Sequence, residues 1–430
     1  MLTGIVIILY NLLDGIMISF GGQLKLNEVL VLLVLPLLYR SMEFSRYPML
    51  KKIVVTLIAL LFFQIITDLF AVDTSVKNYI RGWSQIIISI VSVVFLFKIL
   101  NSYQALALFI LMIAIKRILF APMLQSNLLD DSDMQFFKWR VFPVVSYLIF
   151  FITIFLHHWG KRKVIPVIFI LYGLFSISMD SRSNGLVFFL SGLLLFSLYS
   201  GFKWTWKRVG TLSIVMLIVF QGLYVLYVNS ILTGRFGGDH AKAQIERLAN
   251  PYNPISLLQS GRGETFAALV AIGDKPIFGH GSWAVDKTLK YYHIVQQYHD
   301  NEKKHIPIQG TPLVPSHSVI LGAWVNHGFG AFVCTLFLLF YVIKMGLFLL
   351  KNAQSAPIYP IVVPLLINFV WAFLFSPFQY LRFGFPMDAC IFLTSYYLTL
   401  KRMKEEEIEL RNEIEFSDEA EPSLSFPNTY

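Results

Sequence analysis

The sequence predicts an all-α membrane fold: a polytopic bundle of about twelve transmembrane helices with one large, partly helical loop on its outer face. Three observations predict it. The chain is 56% apolar and only 14% charged, apolar runs of near bilayer-crossing length recur along it, and one stretch of about 88 residues, Asn229 to Ser316, interrupts them. Soluble domains carry about 25% charged residues, so a bundle that buries its apolar surface in lipid is favoured over a water-soluble globule. A disordered, collagen-like or disulfide-rich chain is excluded as well, because Gly and Pro are ordinary and there are two cysteines. Cys334 and Cys390 both lie inside apolar runs and say nothing of redox compartment.

A helix rising 1.5 Å per residue needs about 20 residues to cross about 30 Å of hydrocarbon. The runs that approach this length are Leu2 to Phe20, Leu26 to Tyr39, Ile53 to Phe70, Ser84 to Phe97, Ala105 to Phe120 and Val141 to Leu156. They continue with Val164 to Met179, Leu186 to Leu198, Thr211 to Val228, Ser318 to Ile343, Ile358 to Phe375 and Pro386 to Leu400. Residues 1–228 therefore hold nine spans, 229–316 the loop, 317–400 three further spans and 401–430 a charged tail. No basic segment precedes the first run, whose first following lysine is Lys25, so it reads as a retained helix rather than a cleaved signal.

Charge placement sets the orientation. With the N-terminus inside, the short cytoplasmic connections hold Arg40, Arg46, Lys51, Lys52, Lys98, Lys161, Arg162, Lys163, Lys203, Lys207 and Arg208, whereas the opposite short loops hold Asp73, Asp130, Asp131 and Asp133 against a few bases. This is the positive-inside pattern. The formal charge of +9 is thus a topology signal and implies no nucleic-acid partner. Both termini are expected in the cytoplasm and the large loop outside. The tail opens on Lys401, Arg402 and Lys404 and then turns acidic; its first half can be helical and its end, around Pro422 to Tyr430, reads as disordered.

A loop this long is usually functional or disordered. This one keeps apolar helical pieces at Ala241 to Leu248 and Glu264 to Ile272, turn signals at Asn253-Pro254 and Asp274-Lys275-Pro276, and aromatics from Tyr252 to Tyr292. It carries the bases Arg235, Arg247 and Arg262 together with His240, His280, His293, His299 and His305, and His317 follows at its edge. A folded, basic, histidine-bearing cap suits an anionic ligand at the outer membrane surface. The histidines lack the close pairing that zinc requires.

Three segments here carry a family likeness. Asp180-Ser181-Arg182-Ser183-Asn184-Gly185 runs into the eighth span. Ser260-Gly261-Arg262-Gly263 is followed, fourteen residues after Arg262, by Pro276-Ile277-Phe278-Gly279-His280-Gly281. Pro315-Ser316-His317-Ser318 places His317 eleven residues before Gly328 and thirteen before Gly330. In this order the segments resemble the O-antigen ligase and O-antigen polymerase superfamily, polytopic enzymes of bacterial surface-polysaccharide assembly. The layout, about twelve spans with the large loop between the ninth and tenth, is similar as well. The likeness covers Asp180 to Gly330. Ser318 departs from the family's usual Asn, and Asn326-His327 stands where an acidic residue is common.

The resemblance implies an inverting, metal-independent glycosyltransferase that needs no cofactor and works at the outer face of a bacterial cytoplasmic (inner) membrane. It would polymerise polyprenyl-diphosphate-linked repeat units into a surface polysaccharide; its partners would be that donor, a glycan acceptor, membrane lipids and a chain-length regulator. Arg182 and Arg262 would hold the diphosphate bidentately. His317 would accept the acceptor hydroxyl proton. Arg235, Arg247 and His280 would add substrate contacts. The alternatives are a ligase that passes the finished glycan to a lipid A core or protein, and a transporter or flippase of lipid-linked glycans. The sequence shows neither the paired broken helices nor the two related halves common in transporters.

Plainer readings stand beside these. Arg182 also reads as a snorkelling anchor or part of a helix cap, Arg262 as a loop ion pair with Glu264, His317 as an interfacial side chain and Gly279-His280-Gly281 as a tight turn. Asp14, Asp68, Lys116 and Arg117 lie within spans, where charge is costly, and are expected to face the bundle interior or reach the interface.

Overall fold

The computed structural model describes residues 2–19, 23–39, 43–71, 74–124, 137–179, 181–201, 206–234, 263–299 and 312–419, with scattered positions between 242 and 256. Arg235, Arg247, Arg262, His240, His305, Asp73 and the acidic stretch Asp130 to Asp133 lie outside them.

Each of the twelve apolar runs contains a helix. In chain order they form α1 (Leu2–Asp14), α2 (Leu26–Tyr39), α3 (Pro48–Phe70), α4 (Val76–Ile99), α5 (Tyr103–Leu124), α6 (Phe142–His158), α7 (Val164–Ser178), α8 (Arg182–Tyr199) and α9 (Trp206–Leu232). The cap contributes α10 (Gly263–Asp274) and α11 (Lys290–His299). Then come α12 (Val319–Asn352), α13 (Tyr359–Phe375), the short α14 (Tyr380–Phe383) and α15 (Phe385–Glu419). Among the described residues α3, α4, Tyr103–Phe120 of α5, α8 and α12 are long and apolar enough to cross a membrane, and Thr3–Asp14, α6, α7 and α13 are apolar but shorter. This is a helical membrane protein.

Local chemistry explains several boundaries. Pro48 opens α3, where its missing N–H costs nothing. Ser75 and Ser318 cap α4 and α12 by accepting from the amides of Asn78 and Leu321. The first run ends earlier than Phe20: α1 stops at Asp14, and Met17–Ser19 pairs antiparallel with Gln23–Lys25 as a small hairpin, β1 and β2. The tail helix continues past Leu400 to Glu419 with exposed i,i+4 pairs such as Lys401–Glu405 and Arg411–Glu407.

In lipid there is no hydrophobic gain from bringing helices together, so packing quality decides the association. α7 and α8 meet through glycines: a Cβ on Gly173 would lie 2.7 Å from the Gly185 carbonyl oxygen, and one on Gly192 would lie 2.7 Å from that of Pro166. Elsewhere aromatic rings fill the interior. Phe188 stacks on Phe150 at 5.3 Å and stands edge-on to Tyr172 at 4.7 Å, and Phe369 and Phe373 are 4.7 Å apart. Such pairs are worth about 0.5–1.5 kcal/mol each beyond their burial.

Charged residues expected within the spans have partners in the structure. Asp14 accepts from Lys25 Nζ at 2.8 Å and Asn27 Nδ2 at 3.2 Å, and its other oxygen pairs with Lys116. Arg382 Nε donates to Glu28 at 2.7 Å, and the same guanidinium donates to the Gln23 carbonyl at 2.8 Å. The Arg117 guanidinium lies over the Tyr147 ring at 5.4 Å. These contacts tie the hairpin and α2 to the bundle.

One correction concerns α12. Gly328 has φ 78° and ψ −174°, so the helix is interrupted and the expected run from Ser318 divides in two. Val319–His327 belongs to the cap. Phe329–Asn352 is 24 residues, about 36 Å, which by itself exceeds the hydrocarbon thickness. A second, smaller core of Ala267, Ala268, Ala271, Ile272, Ala284, Tyr291, Val314 and Val325 joins that N-terminal piece to α10 and α11.

Candidate functional site

The site is assembled where the cap meets the C-terminal end of α3. Asp68 is fully buried, and its carboxylate accepts from the Ser282 amide at 2.6 Å, the Ser282 hydroxyl at 2.7 Å and Trp83 Nε1 at 2.8 Å. Gln64, one turn earlier on the same face, donates from Nε2 to the Ser282 oxygen at 2.9 Å. Gly82 on α4 leaves room for this, since a Cβ there would collide with both Ser282 and Gln64. Charge-assisted bonds of this kind are roughly twice as strong as neutral ones. They hold the cap against the bundle.

The break in α12 is the second attachment. A helix end leaves carbonyls and amides without intrahelical partners, and here the segment Ile277 to Gly281 supplies them. The Phe329 amide donates to the Ile277 carbonyl at 3.0 Å, the His280 amide to Val325 at 2.7 Å and the Gly281 amide to Asn326 at 2.9 Å. Thr67 Oγ1 donates to the His327 carbonyl at 3.1 Å. Gly279 and Gly281 have φ of 72° and 97°, a region that glycine reaches at no steric cost. Two of the glycine-bearing sequence segments therefore meet in space.

Beside this junction is a cavity of about 330 Å³. Its walls come from Gln64, Gly82 and Gln85, from Glu264 of α10, from Ser282 and Trp283, from the strap Leu313 to Ser316, from Asn326 and His327, and from Pro377 to Gln379. Gln85 Nε2 donates to the Phe378 carbonyl at 2.9 Å. The strap is held by Val314, whose amide donates to the Ala284 carbonyl at 2.9 Å. His317 follows it directly: exposed, it places Nδ1 3.3 Å from Glu264 Oε2. A carboxylate on Nδ1–H holds the tautomer whose Nε2 can accept a proton.

No protein-family model matches this chain, nor does any curated protein.

The remaining expected site residues are distributed differently. Arg182 is the first residue of α8, and its guanidinium lies over the Tyr227 ring at 5.7 Å; it does not line the cavity. Arg262, Arg235 and Arg247 fall outside the described residues. His280 is 7% exposed, with Nε2 2.8 Å from the Ala271 carbonyl and its ring edge-on to Tyr291 at 5.6 Å. It packs the cap, and its backbone joins the helix break; the cavity wall does not include it.

Sequence reading missed Gln64, Gln85, Ser282 and His327 as wall residues, and it gave Glu264 to Arg262 rather than to His317. The available signal was Gln64 and Asp68, an i,i+4 polar pair inside an otherwise apolar run. Below the cavity the cap is clipped by Asp274, which accepts from Lys290 Nζ at 2.5 Å and the Tyr291 hydroxyl at 2.6 Å. Those bonds hold the Asp274 carboxyl below the usual carboxylate range, while burial and then the Asp274 charge push the Tyr291 phenol up.

Proposed function

We propose that the chain is a membrane glycosyltransferase that joins polyprenyl-diphosphate-linked repeat units into a bacterial surface polysaccharide. In this reading all twelve helical runs cross the cytoplasmic membrane, both termini are cytoplasmic and the cap lies on the outer face. The observation that carries it is the His317–Glu264 pair beside a polar cavity, positioned by the two segments that resemble the O-antigen enzymes. His317 Nε2 takes the proton of the acceptor hydroxyl as that oxygen bonds to the anomeric carbon. The bond from that carbon to the diphosphate oxygen breaks, and the diphosphate leaves with the electron pair. Attack opposite the leaving group inverts the centre, and no metal is needed. Arg262, two residues before Glu264, and Arg182 are assigned to the diphosphate.

The break at Gly328 favours a second reading, a flippase, because broken helices form transporter sites. Transporter breaks lie near the midplane, however, and here a full-length apolar segment follows the break. Deleting the gene and separating surface glycan on gels tests all three readings. Loss of polymer with single repeat units on the normal anchor supports the polymerase. Long unattached lipid-linked chains indicate a ligase, and donor trapped in the inner leaflet overturns the enzyme reading.

A further inference from the structure

The cap has an apolar side that the protein itself leaves open. α10 buries Ala267, Ala268, Ala271 and Ile272 in the smaller core, yet Leu269 and Val270, on the opposite side of the same helix, are exposed. Past the end of α10, Ile277 is 67% exposed and Phe278 53%. A helix that is apolar all round belongs in a buried setting, and a contiguous exposed apolar patch marks a contact with a partner or a membrane.

The surroundings of the patch decide between them. α3 exposes Val55, Ile58, Phe62 and Leu69, and α12 exposes Phe329, Leu336, Phe340 and Leu347. Spacings of three, four and seven residues put each set on one face of its helix. Both helices are long and apolar enough to cross a membrane, so these stripes are faces turned to lipid. Both stripes end on the same turn of the cap. The Phe278 ring lies 5.9 Å from that of Phe70, which follows Leu69, and the Ile277 carbonyl accepts from the Phe329 amide at 3.0 Å. Trp324 stands at this margin: its Nε1 donates to the Pro276 carbonyl at 2.7 Å, and its ring lies 4.3 Å from that of Phe332. Rings with one polar and one apolar side collect at the headgroup level of a bilayer. Charge begins directly beside the turn, at the exposed Asp274 and Lys275.

We infer that the cap is embedded in the bilayer along α10. Leu269, Val270, Ile277 and Phe278 sit among the lipid chains of the leaflet on the cap side and continue the lipid-facing stripes of α3 and α12. Interfacial helices bury an apolar face in this way, about 5–10 Å deep. The inference rests on the bundle crossing a membrane and does not depend on the glycosyltransferase reading. α10 is 12 residues, about 18 Å, and it opens on Gly263 and Glu264. The anchor therefore holds the Glu264–His317 pair within about 18 Å of the lipid, and a group presented to His317 is met at the membrane surface.

The test is nitroxide spin labelling of the full-length protein in nanodiscs of phosphatidylethanolamine and phosphatidylglycerol. Cys334 and Cys390 are buried, so single added cysteines can be labelled with the wild-type chain as the background control. Oxygen concentrates in the bilayer and a nickel chelate in water, so the ratio of their collision rates with the label reads depth. Leu269→Cys and Ile277→Cys are expected to favour oxygen, as the lipid-face reference Phe62→Cys does, whereas Glu409→Cys on the exposed tail should favour the chelate. Should Leu269→Cys fail to fold, Val270→Cys carries the same expectation. Ratios at the two cap labels that match Glu409→Cys put this face in water and overturn the inference. Labels shielded from both reagents show that another part of the chain covers the face. Dipolar broadening between identical labels, lost on dilution with unlabelled protein, assigns it to a second copy. Either result also overturns the inference.

Discussion

A Cβ on Gly279 would lie 2.7 Å from the backbone nitrogen of Gly328, so the cap turn and the interrupted helix can approach this closely only because both residues are glycine. At Gly328 a Cβ would likewise collide with the Ile277 carbonyl. Both residues also have φ above 70°. Gly279→Ala and Gly328→Ala should therefore each cost at least about 1–3 kcal/mol from backbone strain alone, and more from the collision. A lower midpoint in thermal unfolding of the detergent-solubilised protein is the expected result, with activity lost in both. Wild-type midpoints in both variants would show that the junction is not required.

Asp68 anchors the same junction from the bundle side. Asp68→Ala leaves the Trp83 indole, the Ser282 amide and the Ser282 hydroxyl without their acceptor, and hydrogen bonds to charged groups are worth about 1.5–3 kcal/mol each. The cap should loosen without unfolding the helices. Limited proteolysis in membranes should show new cleavage between Phe278 and Leu289, and Asp68→Asn should show an intermediate amount. Unchanged cleavage in Asp68→Ala would contradict the anchor.

Under the proposed function, transfer should depend on the pair at the cavity edge. His317→Ala is expected to lower the rate by about 10²–10⁴-fold, the range of general-base contributions. Glu264→Ala, which removes the group that orients the imidazole, should cost less. The double variant should be no slower than His317→Ala, since two residues acting as a unit are not additive. Additive losses in a membrane-fraction transfer assay would show that the two act separately.

The Asp274 clip gives the cap a pH window. Its carboxyl is held below its ordinary value, so the stabilisation is present above the unfolded pKa of about 3.9 and is lost as pH falls through the lower folded value. The Tyr291 phenol is shifted upward, so its contribution is present below about pH 10 and is lost as pH rises through the folded value. Protection of the amides of α10 and α11, taken relative to their intrinsic exchange rate at each pH, should be greatest between these limits, and Asp274→Asn should remove the acid-side change. If that variant keeps the wild-type acid dependence, the clip has been misassigned.

The sequence by itself determined the helices. Most of the apolar runs became single helices, because run length and composition are local properties that a chain can express without distant partners; α2 spans Leu26–Tyr39, as its apolar run does, whereas the first run is helical only to Asp14 and the tenth is interrupted at Gly328. It also located one helix of the loop, since Glu264 to Ile272 is apolar on a helical period and lies within α10. Tertiary structure decided the site. Asp68 and Ser282, Glu264 and His317, and Gly279 and Gly328 are far apart in the chain, and nothing local to either member specifies the other. The same holds for the break in α12: Ser318 to Ile343 reads as one continuous apolar run until an outside segment is present to satisfy the backbone groups exposed at Gly328. A polar group in an apolar run signals that a partner exists, and only the packed fold determines which residue it is.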